Sequence, residues 1–114
     1  MNIDSYSFGS ITVGGKIYNT DLIIFPERVK SNWWRKEGHC LGSEDLKEVI
    51  DYKPEALIVG RGAYGVMKIP ESTKKILKEN NIELIDRNTD QAYKIFNEYI
   101  KKGKKTVGAF HLTC

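Results

Sequence analysis

The chain has 114 residues, a length that suits one domain and can bury a core without disulfide or metal staples. Hydrophobic residues make up 40% of it and charged residues 29%, with a net charge of +3, an ordinary balance for a globular protein. No apolar run is long enough for a transmembrane helix, and two cysteines do not make a disulfide framework. Met1-Asn2-Ile3-Asp4-Ser5 lacks the basic and then apolar pattern of a secretory signal, so the expectation is one cytoplasmic domain across residues 1–114.

Residues 8–25 read as a β-hairpin. Phe8 to Val13 and Ile17 to Phe25 are strand-like, and Gly14-Gly15 between them supplies a two-residue turn with positive φ. Leu22-Ile23-Ile24-Phe25 is apolar on both faces and is expected to enter the core, with Pro26 ending it. Residues 26–42 carry no period and read as a loop holding Trp33-Trp34-Arg35 and Gly38-His39.

Ser43 then caps a first helix, with Glu44 and Asp45 in its opening turn and Leu46, Val49 and Ile50 as its apolar stripe. Pro54 follows as a stop signal. Ala56 to Val59 is a buried strand that runs into the glycine-rich stretch Gly60-Arg61-Gly62-Ala63-Tyr64-Gly65. A second helix starts at Pro70-Glu71-Ser72, anchored by Ile76 and Leu77, and Asn80-Asn81 ends it. Ile82 to Ile85 forms the next strand.

Asn88 or Thr89 caps a third helix. Its stripe of Ala92, Ile95, Phe96, Tyr99 and Ile100 follows the helical period, and Gly103 terminates it. Thr106 to Leu112 makes the last strand. Strand–helix–strand units with short loops imply a parallel region, and the hairpin adds antiparallel pairing. The expected fold class is α/β, with a mixed central sheet, an N-terminal hairpin and three helices.

The glycine stretch has Gly-x-Gly-x-x-Gly spacing, and Asp86 closes the following strand. In a dinucleotide site the helix begins directly after the third glycine, whereas Val66-Met67-Lys68-Ile69 intervenes here and looks extended. No nucleotide cofactor is expected. The surviving reading is a tight loop at a strand's carboxyl end, where ligands bind in open α/β sheets. Gly60, Arg61 and Gly62, with Arg35 and His39 from the earlier loop, are the candidate ligand-binding residues for a small anion.

Other constellations are weaker. His39-Cys40 and His111-x-x-Cys114 offer four soft ligands, but neighbouring residues on extended backbone point apart, and no paired-cysteine knuckle is present. No metal is expected. Cys114 has no evident orienting acid, so no catalytic residue is assigned. Lys101, Lys102, Lys104 and Lys105 fit a helix terminus better than a nucleic-acid surface. Trp33, Trp34 and Tyr64 are candidates for a partner surface.

Trp34-Arg35, Gly38-His39, Ile58-Val59-Gly60-Arg61-Gly62, Lys68-x-Pro70-x-Ser72-Thr73, Thr89-x-Gln91-Ala92 with Asn97, and Phe110-His111-Leu112-Thr113-Cys114 occur together and in order. With these residues the chain resembles a small α/β family. That family includes an adipogenesis-associated vertebrate protein and, more distantly, a mitochondrial complex I assembly factor. The resemblance implies a three-layer domain with a mixed central sheet and an added hairpin layer. It implies no established enzymatic activity, and its best-understood branch acts by binding proteins.

Two functions follow as expectations. One is a non-catalytic protein-binding or assembly module that uses the aromatic loop, with self-association through sheet edges also open. The other is a small-molecule or anion-binding protein, or an enzyme, built on the glycine loop. Neither nucleic acid nor membrane is an expected partner.

Overall fold

The computed structural model describes residues 2–114. Among these residues eight strands and three α-helices follow one another, and the strands divide between two sheets. The first sheet is antiparallel, in the order β1-β2-β3, from Ile3–Ser7, Ser10–Val13 and Lys16–Tyr18. The second has the order β5-β4-β8-β6-β7, from Arg28–Lys30, Leu22–Phe25, Thr106–His111, Ala56–Arg61 and Glu83–Arg87. In it β8 pairs parallel to β6 and antiparallel to β4, so the sheet is mixed as expected.

The N-terminal region differs from the expected hairpin in three ways. The Gly14-Gly15 turn stands, with φ of 54° and 82°. The strand after it breaks, however: Lys16–Tyr18 stays in the small sheet, while Leu22–Phe25 joins the large one. Asn19-Thr20-Asp21 redirects the chain, because an edge strand with exposed Ile17 and a fully buried strand belong to different layers. A further strand precedes both, and Phe8 lies in the Phe8-Gly9 turn between β1 and β2, largely exposed. Beyond Phe25 the short strand β5 returns along β4 within the expected loop.

Ser43 opens a short 3-10 turn, Ser43–Leu46, which runs into α1, Lys47–Tyr52. Ser43 is not the cap. Asp45 Oδ2 accepts the Gly42 amide at 2.9 Å, and Lys53, left-handed at φ 56°, stops the helix before Pro54. α2, Glu71–Glu79, follows Pro70 and buries Thr73 and Leu77, while Ile76 is half-buried. α3, Thr89–Lys101, follows Asn88, and its whole apolar stripe packs in the core. Gly103 at φ 77° ends it in the left-handed conformation that favours glycine. Lys104 and Lys105 lay their ammonium groups over the Tyr99 and Tyr52 rings beside this end.

The large sheet has a core on each face. One gathers Phe25, Leu57, Val59, Val107 and Ala109 under α1, α2 and the 31–42 loop, with Trp33, Leu41 and Leu77. The other gathers Ile24, Ile58 and Phe110 under α3 and the small sheet, with Phe96, Ile3, Ile11 and Val13. Three layers result. Asn97 on α3 ties the small sheet in place by accepting the Ile3 amide at 2.9 Å and donating to its carbonyl at 2.7 Å. All of β8 is buried, so its last residue, His111, is delivered into the interior at the carboxyl end of a central strand.

Candidate functional site

His111 lies opposite Arg61 in the parallel β6–β8 register, so both side chains leave the same face of the sheet. They turn in opposite directions. His111 Nδ1 reaches Asp21 Oδ2 at 2.7 Å, just before β4. Arg35 Nη2 reaches the same oxygen at 2.8 Å. Asp21 Oδ1 accepts the Leu112 amide at 2.8 Å. Burial alone would raise the Asp21 carboxyl, but the His111 and Leu112 hydrogen bonds and the Arg35 contact hold it below the ordinary value. An ionised carboxylate only accepts, so Nδ1 carries the ring proton and Nε2 faces the other way. Arg35 Nη2 and His111 Nδ1, 3.1 Å apart, are thus two donors sharing one acceptor.

The loop makes this convergence possible. Asn32, left-handed at φ 54°, bends the chain so that Trp33 turns inward and donates its indole N–H to the Asp45 carbonyl at 3.1 Å. The Trp33 amide also bonds the Asp21 carbonyl at 2.9 Å. Arg35 stacks on the Trp33 ring, its guanidinium carbon 4.8 Å from the centroid, and donates Nε and Nη2 to the Gly38 carbonyl. His39, exposed, sets its ring at 71° to that of His111 with centroids 5.7 Å apart. The Lys68 amide bonds the His39 carbonyl at 2.8 Å, which fixes the backbone of this corner.

The structure therefore brings Arg35 and His39 together around His111. Arg61 stands apart from them. It donates Nε to the Met67 carbonyl at 2.7 Å and Nη2 to the Gly65 carbonyl at 3.1 Å, and approaches Asp86 at 3.4 Å. It staples its own loop. The Gly62 amide donates to Thr89 Oγ1, and the Ala63 and Val66 amides donate to the carbonyls of Thr113 and Cys114. The C-terminal tail thus takes up donors of the glycine loop. Gly62, at φ 101°, accommodates the Cys114 backbone, and a Cβ on Gly60 would meet Phe110 and Thr89 Oγ1 at 2.7 Å.

Residues 3–111 match the family of proteins of unknown function designated DUF498/DUF598. The chain belongs to this family. It is similar along its whole length to a conserved hypothetical protein from Pyrococcus horikoshii OT3, with 27% identity, all of both chains covered and a TM-score of 0.84. A structure named MT938 shares 26% identity over 99% of this chain and 98% of that one, at a TM-score of 0.83. An Mth938-like domain protein from Bordetella pertussis has the same fold at 18% identity, with 97% of this chain and 85% of that chain covered and a TM-score of 0.76.

In this DUF498/DUF598 member the aromatic candidates separate. Trp33 is buried, whereas Trp34 is 77% exposed and Tyr64 74% exposed. Tyr64 faces Phe8 across 6.2 Å between ring centroids. Beside Trp34 lies a groove of about 790 Å³ lined by Ile23, Trp33, Lys30, Lys36, Glu44 and Glu48, among others. Among the described residues no helix is long and apolar enough to cross a membrane. Two participants in the buried cluster escaped the sequence reading: Asp21, and His111 in its role as Asp21's partner. No spacing marks them, since they lie 90 residues apart.

Proposed function

We propose that this protein is a non-catalytic binding module that docks a polypeptide segment against Trp34 and the groove beside it. The observation that carries this reading is the exposure of Trp34, 77%, on a loop whose neighbours Trp33 and Arg35 are buried and hydrogen-bonded. A rigid loop that presents one large aromatic side chain to solvent has the form of an interface anchor. The groove gives such an anchor a partner surface. Ile23 and Trp33 supply apolar area, while Lys30, Lys36, Lys47, Glu44 and Glu48 make a rim of both charges. Tyr64, Phe8 and Val66 add a second exposed apolar group at the glycine loop.

The family resemblance agrees with this reading, since its best-understood branch works by binding proteins. The test is affinity capture from native lysate with wild type, Trp34→Ala and Tyr64→Ala, followed by quantitative proteomics. The expected result is a specific polypeptide retained by wild type and depleted in the Trp34→Ala sample. Capture that is identical across all three proteins, or no specific polypeptide in any of them, overturns the reading.

A further inference from the structure

The Asp21–Arg35–His111 cluster leaves part of its hydrogen-bonding capacity unused. Two of its nitrogen atoms, Arg35 Nη1 and His111 Nε2, are buried and have no hydrogen-bond partner among the described residues. The side chains that carry them are only 5% and 7% exposed. Buried polar atoms in native proteins are almost always paired, and each unpaired one carries a desolvation cost. Here the two belong to side chains that meet at a single carboxylate oxygen through their other nitrogens, Nη2 and Nδ1.

Their orientation is set by the surroundings. Asp21 takes the Nδ1 proton of His111 and one guanidinium nitrogen, and the Gly38 carbonyl takes Nε and shares Nη2. Arg35 is thus left with Nη1 as its uncommitted donor group. Trp33 holds the guanidinium plane from one side. This is a preorganised arrangement, since neither side chain must move to present its remaining nitrogen.

We propose that Arg35 Nη1 and His111 Nε2 together bind a small oxyacid group, a phosphate or a carboxylate, that reaches them past the His39 ring. One ligand oxygen accepts from Arg35 Nη1, a charge-assisted hydrogen bond. A second oxygen bonds His111 Nε2 through one further proton, which either arrives on the ligand as an acid hydroxyl or is taken up by the ring from solvent on binding. The locus sits at the carboxyl ends of the parallel strands β6 and β8, the edge where α/β sheets bind ligands.

His39 is exposed and its ring stands edge-on to that of His111, so the proposed approach passes a solvent-facing side chain. Lys68 pairs with Cys40 at this corner, and Lys36 lies beside Glu37, Glu44 and Asp45 in the adjoining cleft. This site is distinct from the Trp34 surface and stands whether or not a polypeptide docks there.

The experiment is NMR of the intact ¹⁵N-labelled protein, following the His111 ring nitrogens during titration with inorganic phosphate and, separately, with acetate. The expected result is a saturable shift at Nε2, with Nδ1 held nearly constant by Asp21. Saturation by phosphate alone identifies a phosphate ligand, and by acetate alone a carboxylate. Arg35→Lys keeps the charge but lacks Nη1, and should weaken binding by about tenfold or more. Its amide spectrum reports whether it folds. If Arg35→Lys does not fold, the wild-type titration is followed at the Arg35 guanidinium as well, whose Nη1 signal should shift along the same saturation curve as His111 Nε2. No saturable Nε2 shift in wild type, or an Arg35 signal that does not follow it, overturns the proposal. So does unchanged affinity in a folded Arg35→Lys protein, or a long-lived water on Nε2 that neither anion displaces.

Discussion

His111 Nδ1 lies 2.7 Å from Asp21 Oδ2, although 90 residues separate the two in the chain. The contact joins the end of the central strand β8 to the residue that leads into β4 and, through Arg35, to the loop between β5 and α1. The open end of the β4–β5 hairpin and the end of β8 are thereby held at one carboxylate. Asp21 Oδ1 also takes the Leu112 amide, so the same side chain fixes where the C-terminal tail departs.

Asp21→Asn should therefore destabilise the fold by about 3 kcal/mol, because it leaves the buried Arg35 guanidinium without its counter-charge. Glu48→Gln is the control. Glu48 pairs with Arg28 and Lys30 on the surface, where an exposed pair is worth less than about 1 kcal/mol. Urea unfolding of both variants measures the difference. Equal losses would show that the buried carboxylate has no special structural weight.

The same carboxylate predicts a pH dependence of definite sign. Asp21 titrates below its unfolded value of 3.8, so in that range the unfolded chain binds more protons than the folded one. The stability it contributes is fully present above the unfolded value and is lost as pH falls through the depressed folded value. Wild-type stability followed from neutral pH into that acid range should drop more steeply than that of Asp21→Asn. Parallel acid limbs would exclude Asp21 as the source.

Gly62 and Gly15 both adopt positive φ, 101° and 82°, yet their surroundings differ. A Cβ on Gly15 meets nothing, whereas one on Gly62 runs into the Cys114 backbone. Gly15→Ala should cost about 1 kcal/mol, the conformational penalty alone. Gly62→Ala should cost more than about 2 kcal/mol, since it adds displacement of the tail that accepts the Ala63 and Val66 amides. Chemical denaturation separates the two, and faster amide exchange at Ala63 and Val66 should accompany the larger loss.

Much of this arrangement was legible in the residues. The α3 stripe, the Gly14-Gly15 turn and the buried run Ala56–Val59 each carry a local period or turn chemistry, and each folds as read. The break between Tyr18 and Leu22 was not legible, because Ile17 to Phe25 is continuously strand-like and only layer packing decides where it divides. The site was half legible. Arg35 and His39 stand out as polar residues in a loop, and both lie against His111. Arg61 stands out in the same way, but it is absorbed by the Met67 and Gly65 carbonyls of its own loop. Asp21 has no signal at all, since its role depends on two long-range partners.

Thr89 links the glycine loop to the end of β8. Its hydroxyl donates to the His111 carbonyl at 2.6 Å and accepts the Gly62 amide at 2.9 Å, and it is fully buried. Thr89→Val keeps the shape and strands both backbone groups, so it should cost about 2 kcal/mol, while Thr89→Ser restores most of that. Thermal unfolding of the pair measures it. A Thr89→Val protein as stable as wild type would mean that loop and strand hold their positions without this hydroxyl.

Adjacent tryptophans with opposite exposures give the sharpest separation of stability from binding. Trp33 is 5% exposed, bonds the Asp45 carbonyl and supports Arg35, so Trp33→Ala should destabilise by about 3–5 kcal/mol. Trp34, turned to solvent, makes no such contacts, and Trp34→Ala should change stability by less than about 0.5 kcal/mol. Trp34 and the groove lined by Ile23 and Trp33 form one apolar surface, which the proposed docking would cover. Urea unfolding and partner capture, run on the same Trp34→Ala preparation, decide between the two roles. Capture lost at full stability assigns Trp34 to binding, whereas a large loss of stability would return it to the core.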